Sequence, residues 1–386
     1  MKYFLSREAV LKWLEKPSVY HIKKDDIYEL DTDSFEFLRK CSSGTGCNSD
    51  NSEFIDYCKK EGILTEDRIF LERPPLISSS FPSLRYLELQ ITDRCNLRCK
   101  HCYINTPLNP AGCELSVKQI RNILKEFEEM QGLRVLITGG EPLIHSRFDE
   151  INRILPDFFV RKLLLTNGLL LNKQILDSLN VDEIQISIDG LEKAHDALRG
   201  KGSFRSAMEA VRRSVGSGFD VSVSTMVHAK NLGDFEELDR IFKDLGVKDW
   251  TVDIPCPTGR MTENPEFCLE PEAGGKYLSY GYGEGLHAGE AGFACGLHLM
   301  SVMADGRVSK CTFYAEASVG TIENGLRENW QKIKPVRFEE LRCDCEFGES
   351  CRGGCRYRAE LSGDASGKDL YRCAFYDIIK KNNSPS

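Results

Sequence analysis

Short apolar runs alternate with amphipathic stretches through the middle of the chain. Between residues 84 and 260 there are six runs of strand periodicity, with stretches of helical periodicity between them. Strands that alternate with helices form a parallel sheet with right-handed crossovers. Six repeats are fewer than the eight of a complete barrel, so the predicted fold class is α/β, a partial (β/α)6 TIM-like barrel with its chemistry at the C-terminal strand ends. The predicted strands are LRYLELQIT, LRVLIT, VRKLLLT, DEIQISID, FDVSVSTMV and DWTVDI.

The first 80 residues follow a different pattern. Apolar positions in 10–14 predict a short amphipathic helix, and two alternating runs around KKDD in 18–30 predict a hairpin. Two helical patterns follow, of which the second ends at Gly62, and the run RPPLISSSFP is typical of a linker. The expected domains are a winged-helix-like unit with its linker in 1–80, the partial barrel in 81–260, and a small third domain in 261–386.

Composition and charge exclude several classes of protein. Lys and Arg number 51 and Asp and Glu 59, a formal net charge of −8. Nucleic-acid and anionic-membrane binders need a basic face, so neither partner is expected. No stretch approaches 18 uncharged apolar residues, and the N-terminus lacks the apolar core of a signal peptide. We therefore expect a cytoplasmic protein.

Cysteine is unusually abundant, with 16 residues in 386. Without a secretory signal, metal ligation is favoured over a disulfide framework. Cys95, Cys99 and Cys102 directly follow the first predicted barrel strand. Three thiolates on a short loop can hold three corners of a [4Fe–4S] cluster and leave one iron open for catalysis. The alternative is a structural zinc site whose fourth ligand is His101 or Cys113.

Three other strand ends carry polar or glycine-rich signals. The second strand ends in Gly139-Gly140-Glu141, where glycines allow close approach of a ligand and Glu141 with the backbone carbonyls can accept from an ammonium group. The third ends in Thr166-Asn167-Gly168, interpreted as a strand-to-helix turn. At the fourth, Ser187 offers a hydroxyl that suits a ribose, and Arg199 beyond it a guanidinium that suits a carboxylate.

The run CNLRCKHC after the first strand, GGEP after the second, and the pair Ser187 and Arg199 together resemble the radical S-adenosylmethionine (SAM) superfamily. The resemblance covers residues 84–200 and extends to 260 by pattern. It implies a radical SAM oxidoreductase, in which the open iron of a [4Fe–4S] cluster chelates the amino and carboxylate groups of SAM. Reductive cleavage of SAM then yields methionine and a 5′-deoxyadenosyl radical that abstracts hydrogen from a substrate.

The same resemblance gives each of these residues a role. Cys95, Cys99 and Cys102 would hold the cluster, and His101 would pack near the adenine of SAM. The remaining SAM contacts would come from Gly139, Gly140 and Glu141 to the methionyl amine, Ser187 to the ribose, and Arg199 to the carboxylate.

The C-terminal cysteines resemble a SPASM domain, the extension that holds two auxiliary [4Fe–4S] clusters. By this resemblance the first cluster is held by Cys295, Cys311 and Cys355, and the second by Cys343, Cys345, Cys351 and Cys373. One departure is that the leading pair, usually CxxC, is CDC here. The fourth ligand of the first auxiliary cluster is open between Cys256, Cys268 and no ligand at all. A zinc ribbon is the alternative for the compact part.

SPASM enzymes often modify peptides, and residues 1–70 resemble the winged-helix unit that recognises the leader of a precursor peptide. This resemblance implies that a leader could pair with the hairpin's edge strand by strand addition. A plain accessory cap is the alternative for this unit. The first functional hypothesis is therefore the maturation of a ribosomally made peptide by a crosslink or thioether, with a low-potential donor such as ferredoxin or flavodoxin. The second is the modification of a small molecule, a tetrapyrrole or quinone precursor.

Two further hypotheses are disfavoured by single features. A sulfatase-type maturase would carry an aspartate directly after the cysteine corresponding to Cys311, where this chain has Thr312. A non-enzymatic iron–sulfur protein leaves the GGEP loop, Ser187 and Arg199 unexplained.

Overall fold

The computed structural model describes residues 1–69, 71–104, 112–283 and 292–378. Its N-terminal unit contains two small antiparallel sheets and two helices. One sheet has the order β2-β3-β4, and β1 pairs with β5 in the other. These elements are β1 (Phe4–Leu5), β2 (Ala9–Trp13), β3 (Pro17–His21), β4 (Asp26–Glu29), α1 (Thr32–Cys41), α2 (Ser52–Lys60) and β5 (Leu64–Thr65).

The helix expected at residues 10–14 is wrong, because this segment is strand β2. Ala9 and Leu11 pack into the core of the N-terminal unit, whereas Val10 and Leu14 pack on the other side against Leu133 of the barrel. A strand that is buried on both faces loses its apolar/polar alternation, so its sequence cannot be distinguished from a short helical pattern.

The N-terminal unit is docked against the barrel rather than separated from it by a linker. Within the run expected to be a linker, the backbone N–H of Ser79 donates to the carbonyl of Trp13 at 2.9 Å. At the start of the same run, Nη2 of Arg73 donates to the carbonyl of Ser6 at 2.7 Å. This run therefore follows the surface of the N-terminal unit.

Six parallel strands form the barrel, with neighbours in chain order, and confirm the predicted fold class. The strands are β6 (Tyr86–Thr92), β7 (Arg134–Gly139), β8 (Arg161–Thr166), β9 (Glu183–Ser187), β10 (Asp220–Met226) and β11 (Asp249–Asp253). The helices are α3 (Val117–Glu129), α4 (Phe148–Ile154), α5 (Lys173–Ser178), α6 (Glu192–Arg199), α7 (Ser203–Gly216) and α8 (Phe235–Leu245).

Alternate residues of the barrel strands face the helices and the lumen. On β6, Leu87 and Leu89 belong to the main core together with Phe127 of α3. Tyr86 points the other way and packs with Leu136 and other apolar residues from neighbouring strands inside the barrel. The lumen is therefore closed by apolar side chains at the N-terminal strand ends and is free to carry polar groups nearer the C-terminal ends.

The sheet continues past residue 260 into the C-terminal region. β12 (Leu299–Val302) pairs in parallel with β6, and β13 (Arg307–Ser309) and β14 (Gly320–Thr321) extend the sheet antiparallel to nine strands. The remaining helices are α9 (Pro271–Gly274), α10 (Leu326–Lys332), α11 (Gly348–Cys351), α12 (Arg356–Leu361) and α13 (Leu370–Phe375). In the described ranges, no helix has the length and apolarity to span a membrane.

Candidate active site and cysteine clusters

The loop that carries Cys95, Cys99 and Cys102 lies at the C-terminal end of β6 and is clamped from two sides. The backbone N–H of Lys100 donates to the carbonyl of Leu198 at 2.8 Å, which ties the loop to α6. Nε of Arg260 donates to the carbonyl of Cys99 at 2.9 Å, which ties it to the segment after β11. The three thiols are therefore presented on a loop whose shape is set by two other parts of the barrel.

Burial changes the acidity of these thiols. It raises the pKa of Cys95 to about 12, and it also raises the pKa of Cys99, although the Arg199 guanidinium works in the opposite direction. Both thiols are protonated at neutral pH in the free protein. Metal binding at this loop must therefore displace protons.

The glycine pair after β7 lies directly against the cysteine loop. The backbone N–H of Gly140 donates to the carbonyl of Thr92, and that of Glu141 to the carbonyl of Arg94, both at 2.8 Å. A Cβ at Gly140 would overlap the Arg94 carbonyl. These two backbones can approach each other only because position 140 has no side chain.

Glu141, which follows the glycine pair, has protein partners for its carboxylate. Its carboxylate is fully buried and accepts from Thr166 Oγ1 at 2.8 Å and from the backbone N–H of Asn167 at 2.9 Å. Burial raises its pKa to about 7. The side chain thus connects the end of β7 to the end of β8. The turn after β8 supplies the donors for this connection.

Arg199 ends α6 with its guanidinium next to the cysteine loop. Its Nη1 lies 3.9 Å from Sγ of Cys99 and its Nη2 lies 3.5 Å from Nε2 of His101, while its Nε donates to the Asp189 carboxylate. Burial alone would raise the pKa of Asp189, but Arg199 outweighs it and holds the pKa well below its usual range. The result is a buried, ionised pair beside the three thiols.

His101 lies in the cysteine loop and Ser187 at the end of β9. Burial lowers the pKa of His101 to about 3, so this imidazole is neutral at physiological pH. Its Nδ1 is buried and has no hydrogen-bond partner among the described residues. Ser187 ends β9 in register with Ser224 of β10 and is partly exposed. An orphaned polar atom beside an open strand end leaves room for a polar ligand such as SAM.

Four C-terminal cysteines line one cavity. Gly348, Gly353 and Asp369 are among the other residues that line it. The four cysteines are Cys343, Cys345, Cys351 and Cys373. They form the set that the sequence resemblance assigns to the second auxiliary cluster. Cys343 and Cys345 of the unusual CDC pair both belong to it.

A second group gathers around Cys355 at the start of α12. Cys295 and Cys311 lie close enough to interact with it electrostatically. Cys256, which is buried, lies next to Cys355, and the interaction of the two thiols lowers the pKa of Cys355 and raises the pKa of Cys256. Cys268 is exposed and interacts with Glu266 instead. The structure thus joins Cys256, not Cys268, to this group.

Arg358 connects the barrel to both cysteine groups. Its Nη1 lies 2.6 Å from Oδ1 of Asp253 at the end of β11, and its Nη2 lies 2.9 Å from Oδ2 of Asp369. Asp369 also accepts from the backbone N–H of Cys355 at 2.8 Å. Since Asp369 lines the other cavity as well, one buried ion-pair network spans both cysteine groups.

Sequence reasoning missed Gly259 and Arg260, which hold the cysteine loop. Gly259 has a φ of +56°, and a Cβ there would overlap the carbonyl of Cys102. The backbone N–H of Arg260 donates to the same carbonyl at 3.0 Å. The available signal was a Thr-Gly-Arg sequence shortly after the sixth strand, at the end of the barrel where loops gather. Asp189 is a further residue that the sequence pattern does not indicate, because its partner Arg199 lies ten positions away at the end of α6.

A site for a single metal ion needs ligands closer together than a cluster does. Across the described ranges, no three His, Cys, Asp or Glu side chains converge on one point in the way a single ion requires. A cubane cluster instead places its four thiolates at the corners of a larger body.

Comparison with known proteins identifies related sequences. Residues 89–242 match the family model described as the Radical SAM superfamily. An AdoMet-dependent heme synthase of Oleidesulfovibrio alaskensis is 24% identical over 75% of this chain and 86% of the relative. The subtilosin biosynthesis protein AlbA of Bacillus subtilis is 27% identical over 72% and 68%, respectively. The mycofactocin maturase MftC of Mycobacterium ulcerans is 29% identical over 70% and 82%.

Solved structures share the fold. Streptococcus suis SuiB bound to its precursor peptide SuiA superposes with a TM-score of 0.66 at 14% identity, over 95% of this chain and 98% of SuiB. The protein anSMEcpe with bound AdoMet and the Cp18Cys peptide superposes with a TM-score of 0.57 at 17% identity, over 78% and 96%. The SuiB match covers 95% of this chain, so the similarity of fold is not confined to the barrel.

Proposed function

Because this chain is an enzyme of the radical SAM superfamily, we propose that it cleaves SAM to methionine and a 5′-deoxyadenosyl radical, and that this radical abstracts hydrogen from a peptide during maturation of a ribosomally made precursor. One observation carries the SAM chemistry. The cysteine loop, the glycine pair after β7 and Arg199 meet at the C-terminal ends of parallel strands, where active sites of such barrels lie.

The residues at this junction fit a SAM-binding [4Fe–4S] cluster. Cys95, Cys99 and Cys102 would hold it, and when bound it supplies the electron for SAM cleavage. The carbonyls of Gly139 and Gly140 would accept from the amino group of SAM. Three further side chains would orient the rest of the molecule: Arg199 at the carboxylate, Ser187 at the ribose and the neutral His101 at the adenine.

The two C-terminal cysteine groups would hold auxiliary [4Fe–4S] clusters. The cavity lined by four cysteines supports one of them. The proximity of Cys256 to Cys355 supports Cys256 as the fourth ligand of the other cluster, with Cys295, Cys311 and Cys355. The buried ion-pair network of Arg358 would keep the two sites in a constant relation to the barrel. A low-potential ferredoxin or flavodoxin is the proposed electron donor.

The peptide substrate is supported by relatives and by the N-terminal unit. AlbA is a bacteriocin biosynthesis protein, MftC is a maturase, and SuiB has been solved with its precursor peptide. In the part of the chain that the structure describes, strand β4 is paired with β3 on one side only. An extended leader could add to this edge through backbone hydrogen bonds.

A tetrapyrrole substrate is the second candidate function. The observation that favours it is the similarity to AdoMet-dependent heme synthases over most of their length. The two substrates differ in what they need from residues 1–80, because a tetrapyrrole has no leader to bind.

SAM cleavage is tested with anaerobically reconstituted protein, dithionite and SAM. We expect release of 5′-deoxyadenosine from the unaltered chain and none when Cys95, Cys99 and Cys102 are all replaced by alanine. Replacement of Cys41, which is buried in the core of the N-terminal unit, by alanine is the matched cysteine control. Undiminished release from the triple variant would refute the proposal.

The substrate class is tested by the origin of the abstracted hydrogen. Deuterated short peptides encoded beside the gene, and a deuterated tetrapyrrole, are offered separately to the enzyme. We expect deuterium in 5′-deoxyadenosine from a peptide only. Deuterium transfer from the tetrapyrrole alone would establish the second candidate instead.

A further inference from the structure

The backbone of Asp189 is anchored independently of its side chain. Its N–H donates to Nδ1 of His195 at 3.0 Å, and its carbonyl accepts from Nε2 of His228 at 3.0 Å and from Nδ2 of Asn231 at 3.2 Å. All three partners are buried. The carboxylate is therefore not needed to keep this loop in place.

The carboxylate has two donors of its own. The backbone N–H of Met226 donates to Oδ1 at 2.7 Å, and Nε of Arg199 donates to Oδ2. Asp189 is fully buried, so solvent does not compete for either oxygen. A buried ion pair with its remaining oxygen satisfied has a single, well-defined geometry.

This geometry determines where the two Nη atoms of the Arg199 guanidinium lie. Arg199 is the last residue of α6, and its long side chain has several rotatable bonds. Because Nε donates to Asp189, Nη1 lies next to Cys99 and Nη2 next to His101. No other acidic side chain is shown to bind Arg199 in the described ranges.

We propose that Asp189 is a positioning residue for SAM: it holds the Arg199 guanidinium with its two Nη atoms directed at the cysteine loop, in the orientation that receives the SAM carboxylate. This inference rests on the SAM binding proposed above and deepens it. Asp189 acts through Arg199 and does not itself touch SAM, because both of its oxygens have partners in the protein.

The test measures SAM binding directly, with the reconstituted full chain and radiolabelled SAM in equilibrium dialysis. Asp189→Asn keeps the shape and can still accept from Met226, but it loses the charge that orients Arg199. We expect its Kd for SAM to rise about tenfold, the scale on which partners behind a binding residue act. Asp189→Glu keeps the charge and should recover part of the affinity.

The matched control is Asp234→Asn. Oδ2 of Asp234 accepts from the backbone N–H of Leu191 at 2.8 Å, two residues beyond Asp189 in the same loop. A loss of affinity caused by loosening of the loop would appear in this variant too. We expect it to bind SAM like the unaltered protein. Iron content is measured for every variant to verify that the cluster is present.

A double variant separates action through Arg199 from an independent effect. If Asp189 acts through Arg199, the combination of Asp189→Asn with Arg199→Lys binds SAM no more weakly than Arg199→Lys alone. The inference would be overturned if the double variant lost affinity by the product of the two single losses. It would also be overturned if Asp189→Asn bound SAM with unaltered affinity, or if Asp234→Asn lost as much affinity as Asp189→Asn. Failure of the unaltered protein to bind SAM would refute the proposed function instead.

Discussion

At the scale of single residues, the site depends on positions where two backbones come into direct contact. Gly140 touches the carbonyl of Arg94 and Gly259 the carbonyl of Cys102, so both ends of the cysteine loop are held by segments without a side chain. Such contacts position the thiols without using any charged or polar side chain. They also make the loop sensitive to a single added methyl group.

We predict that Gly140→Ala abolishes binding of the SAM cluster. Its Cβ would displace the Arg94 carbonyl and with it the adjacent Cys95. Iron analysis should show a loss of about 4 irons per chain. The matched control is Gly233→Ala, because a Cβ at Gly233 has no atom within 4 Å. Equal iron content in the two variants would contradict the role of this contact.

At the scale of elements, the N-terminal unit is bound to the strand starts of the barrel by buried polar groups. Nζ of Lys12 donates to the carbonyl of Gly132 at 2.7 Å, and Glu15 pairs with Arg85 at 2.6 Å. On the other side of the unit, Asp25 pairs with Arg134 at 2.6 Å. Residues 1–80 and the barrel therefore form one body, and removing this unit would expose charges that are now satisfied.

The buried Lys12 makes this docking dependent on pH. Burial lowers its pKa to about 8, from 10.5 in the exposed state. Below pH 8 the Lys12 ammonium is charged in both the folded and the unfolded chain. The free-energy cost of burying this charge then lowers the stability of the folded chain by its full amount. Between pH 8 and 10.5 the unfolded chain binds more protons, and stability rises with pH. The shift corresponds to about 3 kcal/mol.

We predict that the free energy of unfolding increases from pH 8 to 10 more in the unaltered chain than in Lys12→Met, which has no proton to lose. Anaerobic guanidinium denaturation of the two proteins at both pH values measures the difference. Replacement of the exposed Lys16 by Met is the control and should leave the pH dependence as it is. An identical pH dependence in Lys12→Met would show that Lys12 does not contribute.

At the scale of the whole molecule, three cysteine groups from distant parts of the chain are brought to one end of the barrel. The segment from Cys256 to Arg260 joins two of them, because Cys256 contacts Cys355 while Arg260 binds the carbonyl of Cys99. Arg358 and Asp369 join the other two. Neighbouring cysteine groups are therefore connected by short, buried contacts.

We predict about 12 irons per reconstituted chain and about 8 in the variant that lacks Cys95, Cys99 and Cys102. Cys256→Ser should lose iron during a brief exposure to chelator that leaves the unaltered protein intact, because its cluster lacks the fourth thiolate. Cys268→Ser is the matched control and should retain its iron. About 4 irons with stoichiometric zinc in the unaltered chain would refute the auxiliary clusters.

Local periodicity and short spacing were sufficient for much of this protein. The six barrel strands were predictable because each strand and each helix carries its own pattern within a single segment of at most 14 residues. Likewise, Cys95, Cys99 and Cys102 share one loop, so their proximity follows from the chain itself. Residues 10–14 were mistaken for a helix, since a strand buried on both faces has no period of two.

The sequence by itself determined the barrel, the cysteine loop and the kind of chemistry that this loop supports. Only the tertiary structure decided that Glu141 braces Thr166, that Cys256 rather than Cys268 joins Cys355, and that Asp189 orients Arg199. The composition of the run RPPLISSSFP predicts a linker between the N-terminal unit and the barrel. In the structure the two are in contact, and Lys12 donates to the carbonyl of Gly132, 120 positions away. The physical reason is the same in each case. Partners of buried polar groups are selected by proximity in the folded chain, and that proximity leaves no local pattern in the sequence.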